Sequence, residues 1–125
     1  MKEPIHTDNA PGVVGPYSQA IKHGNTLYLA GQIALIPEEG KLLQGSITQE
    51  VNQIMKNINA VLEEAGLTFD NALKVTIYMT DINDYAEVNS AYGAFLSEPF
   101  PAREALAVRD LPAGAKVEIS VIAGY

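Results

Sequence analysis

The chain has 125 residues, 47% apolar and 18% charged, enough for one domain with a real core and too few for two independent ones. Its net charge of -7, with eight Lys and Arg scattered rather than clustered, opposes a phosphate backbone and lacks the electrostatic footprint of a nucleic-acid binder. The absence of cysteine excludes disulfides, thiolate nucleophiles and thiolate metal sites together, and no stretch approaches the roughly 20 apolar residues that span a bilayer.

The N-terminal segment has neither an apolar run nor a small-residue cleavage site, so a cytoplasmic location is expected. It leads into Ala10-Pro11-Gly12 and Gly15-Pro16-Tyr17, an irregular loop stiffened by proline and bent at glycine. Tyr17 is its only large side chain, either a lid over a pocket or a pin for the loop. Ser18 to His23 and Thr26 to Ile33 flank Gly24-Asn25 and suit a hairpin with a glycine-led two-residue turn.

A helix is expected from Ser46, which with Gln49 has capping-box spacing. Ile47, Val51, Ile54, Met55, Ile58, Val61, Leu62 and Ala65 form its apolar stripe, and Gly66 stops it. Glu50, Lys56, Asn57, Glu63 and Glu64 are left for a wet face. Leu73, Val75, Ile77 and Met79 then alternate with polar residues and Tyr78 as a half-buried strand. A second helix follows, with Asp84 and Glu87 at capping-box spacing, an apolar stripe of Val88, Ala91, Tyr92, Phe95 and Leu96, and an end forced before Pro99. Strands over Ala102 to Val108 and Lys116 to Ala123 close the chain.

This order specifies a single α+β domain over residues 1–125, in which two helices cover one face of a sheet. Tyr28, Ile33, Tyr78, Leu106 and Val108 supply apolar material beyond that face, so a homo-oligomer is expected in which sheets or sheet edges meet.

The usual catalytic constellations are missing. His6 and His23 stand apart with no metal-ligand spacing, and there is no phosphate-binding glycine loop or nucleophile elbow. Two charges in apolar strands remain. Arg103, in Pro101-Ala102-Arg103, either pairs with an acid such as Glu118 or presents its planar fork to a substrate carboxylate. Glu118, in Val117-Glu118-Ile119, either points to solvent or is partly desolvated, with a raised pKa, and orients a water. Asn89 either donates to a ligand or faces water.

Ala10-Pro11, Gly15-Pro16-Tyr17-Ser18-Gln19-Ala20, Ala30-Gly31-Gln32-Ile33, Val88-Asn89, Pro101-Ala102-Arg103 and Leu111-Pro112-x-Gly114-Ala115-x-Val117-Glu118-Ile119 together resemble the RidA/YjgF family from end to end. The resemblance implies a chorismate-mutase-like fold and a homotrimer with pockets at its subunit interfaces. It also implies hydrolysis of reactive enamines and imines such as 2-aminoacrylate to 2-keto acids, without cofactor or metal. By the same resemblance Arg103 clamps the substrate carboxylate, the backbones of Gly31 and Ala105 complete the cradle, Glu118 holds the attacking water, and Tyr17 and Asn89 line the pocket. Ala30 and Ala105 replace the serine and the cysteine or threonine common in the family, which bears on substrate preference. A non-catalytic binder of small carboxylates is the alternative; the family's older description as a translation-inhibiting endoribonuclease fits the acidic balance poorly.

Overall fold

A computed structural model describes all 125 residues, Met1–Tyr125. Ten elements follow in order: β1 (Glu3–Ile5), β2 (Ala20–His23), β3 (Thr26–Leu29), β4 (Leu35–Ile36), β5 (Lys41–Leu42), α1 (Ile47–Glu64), β6 (Ala72–Met79), α2 (Tyr85–Gly93), β7 (Ala102–Ala107) and β8 (Val117–Gly124). Six strands form one mixed sheet in the order β1-β2-β3-β8-β6-β7, while β4 and β5 make a separate two-stranded ribbon. Only the β6–β7 pair is parallel, because α2 carries the chain back to the same end of the sheet before β7 begins. The expected α+β class and the sheet covered on one face by two helices are both found. No helix is long and apolar enough to cross a membrane.

The core lies between the helices and one face of the sheet. Along β8 the pattern alternates strictly: Val117, Ile119, Val121 and Ala123 are buried, and Glu118, Ser120, Ile122 and Gly124 are half-buried on the other face. The buried set meets Val51, Ile54, Ile58, Val61 and Leu62 of α1 in one continuous cluster. Burying such side chains contributes about 1.5–3 kcal/mol each. The helix-free face leaves Tyr28 and Leu106 exposed, the apolar surface that the sequence suggests for an oligomer.

Both halves of the α1 capping box form: Gln49 N donates to Ser46 Oγ at 3.1 Å, and Ser46 N donates to Gln49 Oε1 at 2.8 Å. Gly66, at φ 78, ends the helix by donating to Glu63 O.

Four sequence expectations are corrected. Glu50 and Asn57 are not on a wet face but are 2% and 1% exposed. Asn57 lies inward because it donates to Leu35 O at 2.8 Å and accepts from Gln53, tying α1 to the ribbon. Glu50 is turned toward Lys116 at 3.6 Å, next to the start of β8. Asp84 and Glu87 form no capping box; Glu87 instead reaches α1, where its carboxylate accepts from the Thr48 backbone at 2.9 Å and the Thr48 hydroxyl at 2.8 Å. Leu73 is exposed because a bulge between Ala72 and Lys74 breaks the alternation there. The strand expected from Thr26 to Ile33 stops at Leu29.

Candidate active site

The early end of β3 has a physical cause that shapes the site. Tyr28 pairs with Ile122, and pairing resumes at Gln32 with Ile119, so Leu29, Ala30 and Gly31 face only Ser120 and Val121. One extra residue bulges out there, and bulges re-aim nearby groups. Gly31 lies on this bulge against Glu118, and a Cβ at that position would overlap the Glu118 carboxylate Oε2.

Glu118 leaves β8 on the helix-free face and opens into a cavity of about 580 Å³ whose wall includes Tyr17, Ala30, Gly31, Ile33 and Leu35. Burial pushes its pKa above the ordinary carboxylate value of 4.5, with no neighbouring charge or hydrogen bond opposing the shift. A carboxylate so placed is a stronger base than one in water and has free lone pairs for a water molecule.

The loop over this cavity is pinned by Gln19, a residue that sequence reasoning passed over. Its side chain is 2% exposed; Oε1 accepts from Thr7 N at 2.7 Å, while Nε2 donates to Thr7 O and Pro11 O, both at 3.0 Å. Tyr17 is therefore not the pin. It stands 53% exposed at the cavity rim.

Arg103 occupies a second place. It leaves the edge strand β7 on the helix side, where its guanidinium donates to Asn89 Oδ1 and, at 2.6 Å, to the Tyr85 hydroxyl. The rings of Tyr85 and Tyr92 lie 5.7 and 5.6 Å from its central carbon. No carboxylate pairs with it, so of the two sequence readings the salt bridge to Glu118 is not what the chain adopts. Arg103 and Asn89 line a smaller cavity of about 280 Å³ with Leu96, Phe100 and Pro101. Ala105 shares Arg103's side of β7 and packs on the core edge. Glu104 points to the opposite face and bridges to Lys74 at 2.6 Å, leaving Arg103 unneutralised.

Tyr85 is the second functional candidate the sequence analysis missed. Its signal was present: Tyr85, Asn89 and Tyr92 stand at helical i, i+4 and i+7 positions, which puts three polar-tipped side chains on one face of α2. The expected residues thus divide into two groups, Tyr17, Gly31 and Glu118 on one side of the sheet, and Asn89, Arg103 and Ala105 on the other. No group of three or more His, Cys, Asp or Glu gathers anywhere in the chain. His6 lies exposed beside Asp8 at 3.0 Å.

Fold and site together define a small α+β protein with a partly desolvated carboxylate over one cavity and an unneutralised guanidinium over another. The endoribonuclease L-PSP family profile matches residues 7–125. A RutC family protein of Pyrococcus horikoshii is 46% identical over 123 residues, covering 98% of both chains. The human 2-iminobutanoate/2-iminopropanoate deaminase is 41% identical over 123 residues, covering 98% of this chain and 90% of its own. The crystal structure of a conserved Rid family protein from Yersinia pestis superposes with a TM-score of 0.97 at 46% identity over the whole of both chains. The chain belongs to the RidA/YjgF family.

Proposed function

We propose that this chain hydrolyses small 2-imino acids, and the enamines that tautomerise to them, to 2-keto acids and ammonia in a site completed between two copies of itself. The observation that carries the reading is the division just described: an unpaired guanidinium and an unpaired, partly desolvated carboxylate, each at a cavity, on opposite faces of one sheet. The human relative's name supports the substrate class. The exposed Tyr28 and Leu106 on the helix-free face support self-association, and a cyclic homotrimer with three equivalent interface sites fits the family resemblance.

In this reading Arg103 of one copy grips the substrate carboxylate with two parallel hydrogen bonds, held in aim by Tyr85 and Asn89. The backbones of Gly31 and Ala105 complete the cradle, and Tyr17 closes it. Glu118 of the adjacent copy orients a water toward C2 of the iminium and accepts one of its protons as the C–O bond forms. The resulting carbinolamine breaks its C–N bond; the proton on Glu118 passes to the leaving nitrogen, and the hydroxyl proton is lost as the ketone forms. The balance is one iminium acid and one water giving one keto acid and one ammonium ion, and the protein supplies orientation and one proton relay. The reaction calls on no cofactor, metal, nucleic acid or membrane, and we place it in the cytoplasm.

The test follows ammonia and keto-acid release from 2-aminoacrylate generated by a serine dehydratase, with and without the protein. The expected result is faster release that disappears in Arg103→Ala. Tight binding of pyruvate with no acceleration would instead make the chain a carboxylate-binding protein.

A further inference from the structure

We infer that Glu50, a residue of α1 outside the cavity lining, is a positioning residue for Glu118: it holds the Lys116 ammonium away, so that the Glu118 carboxylate meets no cation from its own chain. The consequence for catalysis rests on the deaminase reading above; the clasp between Glu50 and Lys116 is measurable without it.

Glu50 is an unusual residue for its place. It is 2% exposed in the first turn of α1, flanked in the helix by the buried Ile47, Val51 and Ile54, and its carboxylate Oε1 has no hydrogen-bond partner. A buried acid is costly unless it is paired. Its other oxygen, Oε2, lies 3.6 Å from Nζ of Lys116, and this is the one ion pair the carboxylate makes.

Lys116 has a second acid within reach. It precedes Glu118 by two residues, the spacing that puts neighbours on one face of a strand about 7 Å apart. Its carbonyl accepts from Thr80 N at 3.1 Å, one step beyond the Met79 and Val117 pair, so the β6 ladder runs on to Lys116. A four-carbon stem spans that separation easily. The chain instead bends at Lys116 and the ammonium turns to α1. Released from Glu50, it would find the Glu118 carboxylate, which carries no ion pair and no hydrogen bond of its own.

The other charged and titratable groups leave this choice to Glu50. Tyr17 faces Glu118 across the cavity, and Tyr78 is its register partner on β6. Further along the same face Lys74 is bound to Glu104 at 2.6 Å, and Arg109 pairs with Asp110 at 3.5 Å. In the proposed two-copy site the Arg103 guanidinium arrives from the adjacent copy. Beside Glu50, Glu87 of α2 is engaged by Thr48. A cation set against Glu118 would favour its ionised form, weaken it as a base and occupy lone pairs that hold water.

The experiment titrates the intact protein, labelled with ¹³C at its glutamate carboxyls, by NMR; the Glu118 signal is identified by its loss in Glu118→Gln. The acid limb of kcat is measured alongside. Glu50→Met keeps the length of the side chain and removes both oxygens, and the Glu118 midpoint and the limb are expected to move down by about one pH unit. Glu50→Gln, closest in shape, should move both in the same direction by less. Adding Lys116→Met to either variant should return the midpoint to its wild-type position, whereas a purely structural loss of the tie between helix and strand would persist. If Glu50→Met does not fold, Glu50→Gln with and without Lys116→Met gives the same comparison. A midpoint that stays in place without Glu50, or a lowered one that survives Lys116→Met, overturns the inference. If the protein hydrolyses no imine, the deaminase reading falls, and the NMR midpoints still decide the role of Glu50.

Discussion

Arg103 and Glu118 project from opposite faces of the same sheet. Arg103 pairs with Val75 on β6 and Glu118 with Tyr78, so the two lie an odd number of residues apart along one intervening strand. Side-by-side partners share a face and successive residues alternate. Strand geometry thus separates the two charges, and the proposed site, which uses both, would draw them from different copies.

The acid limb of kcat is expected to lie above the ordinary carboxylate range. Glu118 must be ionised to accept a proton, and burial raises its pKa. Activity is therefore lost as pH falls through that raised value and is full above it. The profile is best measured at saturating substrate, where the bound carboxylate balances the guanidinium. Glu118→Gln should lower kcat about 10²-fold or more and abolish the limb. A limb unchanged in Glu118→Gln would assign the base elsewhere.

Tyr85→Phe and Asn89→Ala each remove one of the two bonds that aim Arg103. A hydrogen bond to a charged group contributes about 1.5 kcal/mol or more, so KM should rise roughly tenfold. The effect on kcat should be smaller, because neither side chain touches the reacting carbon. Steady-state kinetics that show kcat falling alone would contradict a positioning role.

Glu87→Ala removes the acceptor for the Thr48 backbone and hydroxyl at the start of α1. Loss of a helix-start acceptor costs about 1 kcal/mol, which corresponds to a Tm lower by roughly 4 °C for a domain of this size. Differential scanning calorimetry reads the shift directly. An unchanged Tm would mean that water replaces the carboxylate at no cost.

Much of this architecture was legible in the residues. The periodicity of α1 with its Ser46 and Gln49 capping box, the Gly24-Asn25 turn and the alternation of β8 all act over a few residues, and each is found. What escaped depends on contacts distant in sequence. Glu87 has the spacing of a local cap but finds Thr48 on the neighbouring helix. Glu50 and Asn57 look like surface residues because polar groups usually are; their partners, Lys116 and Leu35, lie on other elements. Gln19 pins its loop through Thr7 and Pro11, bonds that no periodic pattern announces. The separation of Arg103 from Glu118 follows from the β6 register, since two isolated strand patterns do not say how they pair.

Intersubunit complementation tests the two-copy site most directly. Arg103→Ala and Glu118→Gln proteins, each inactive alone, are denatured, mixed in equal amounts and refolded together, and deaminase activity is followed. If one copy supplies the guanidinium and its neighbour the carboxylate, about a quarter of the interface sites in a random mixture regain both groups, and about a quarter of wild-type activity returns. Mixed assemblies that form and remain inactive would place both groups in one chain's site and contradict the account.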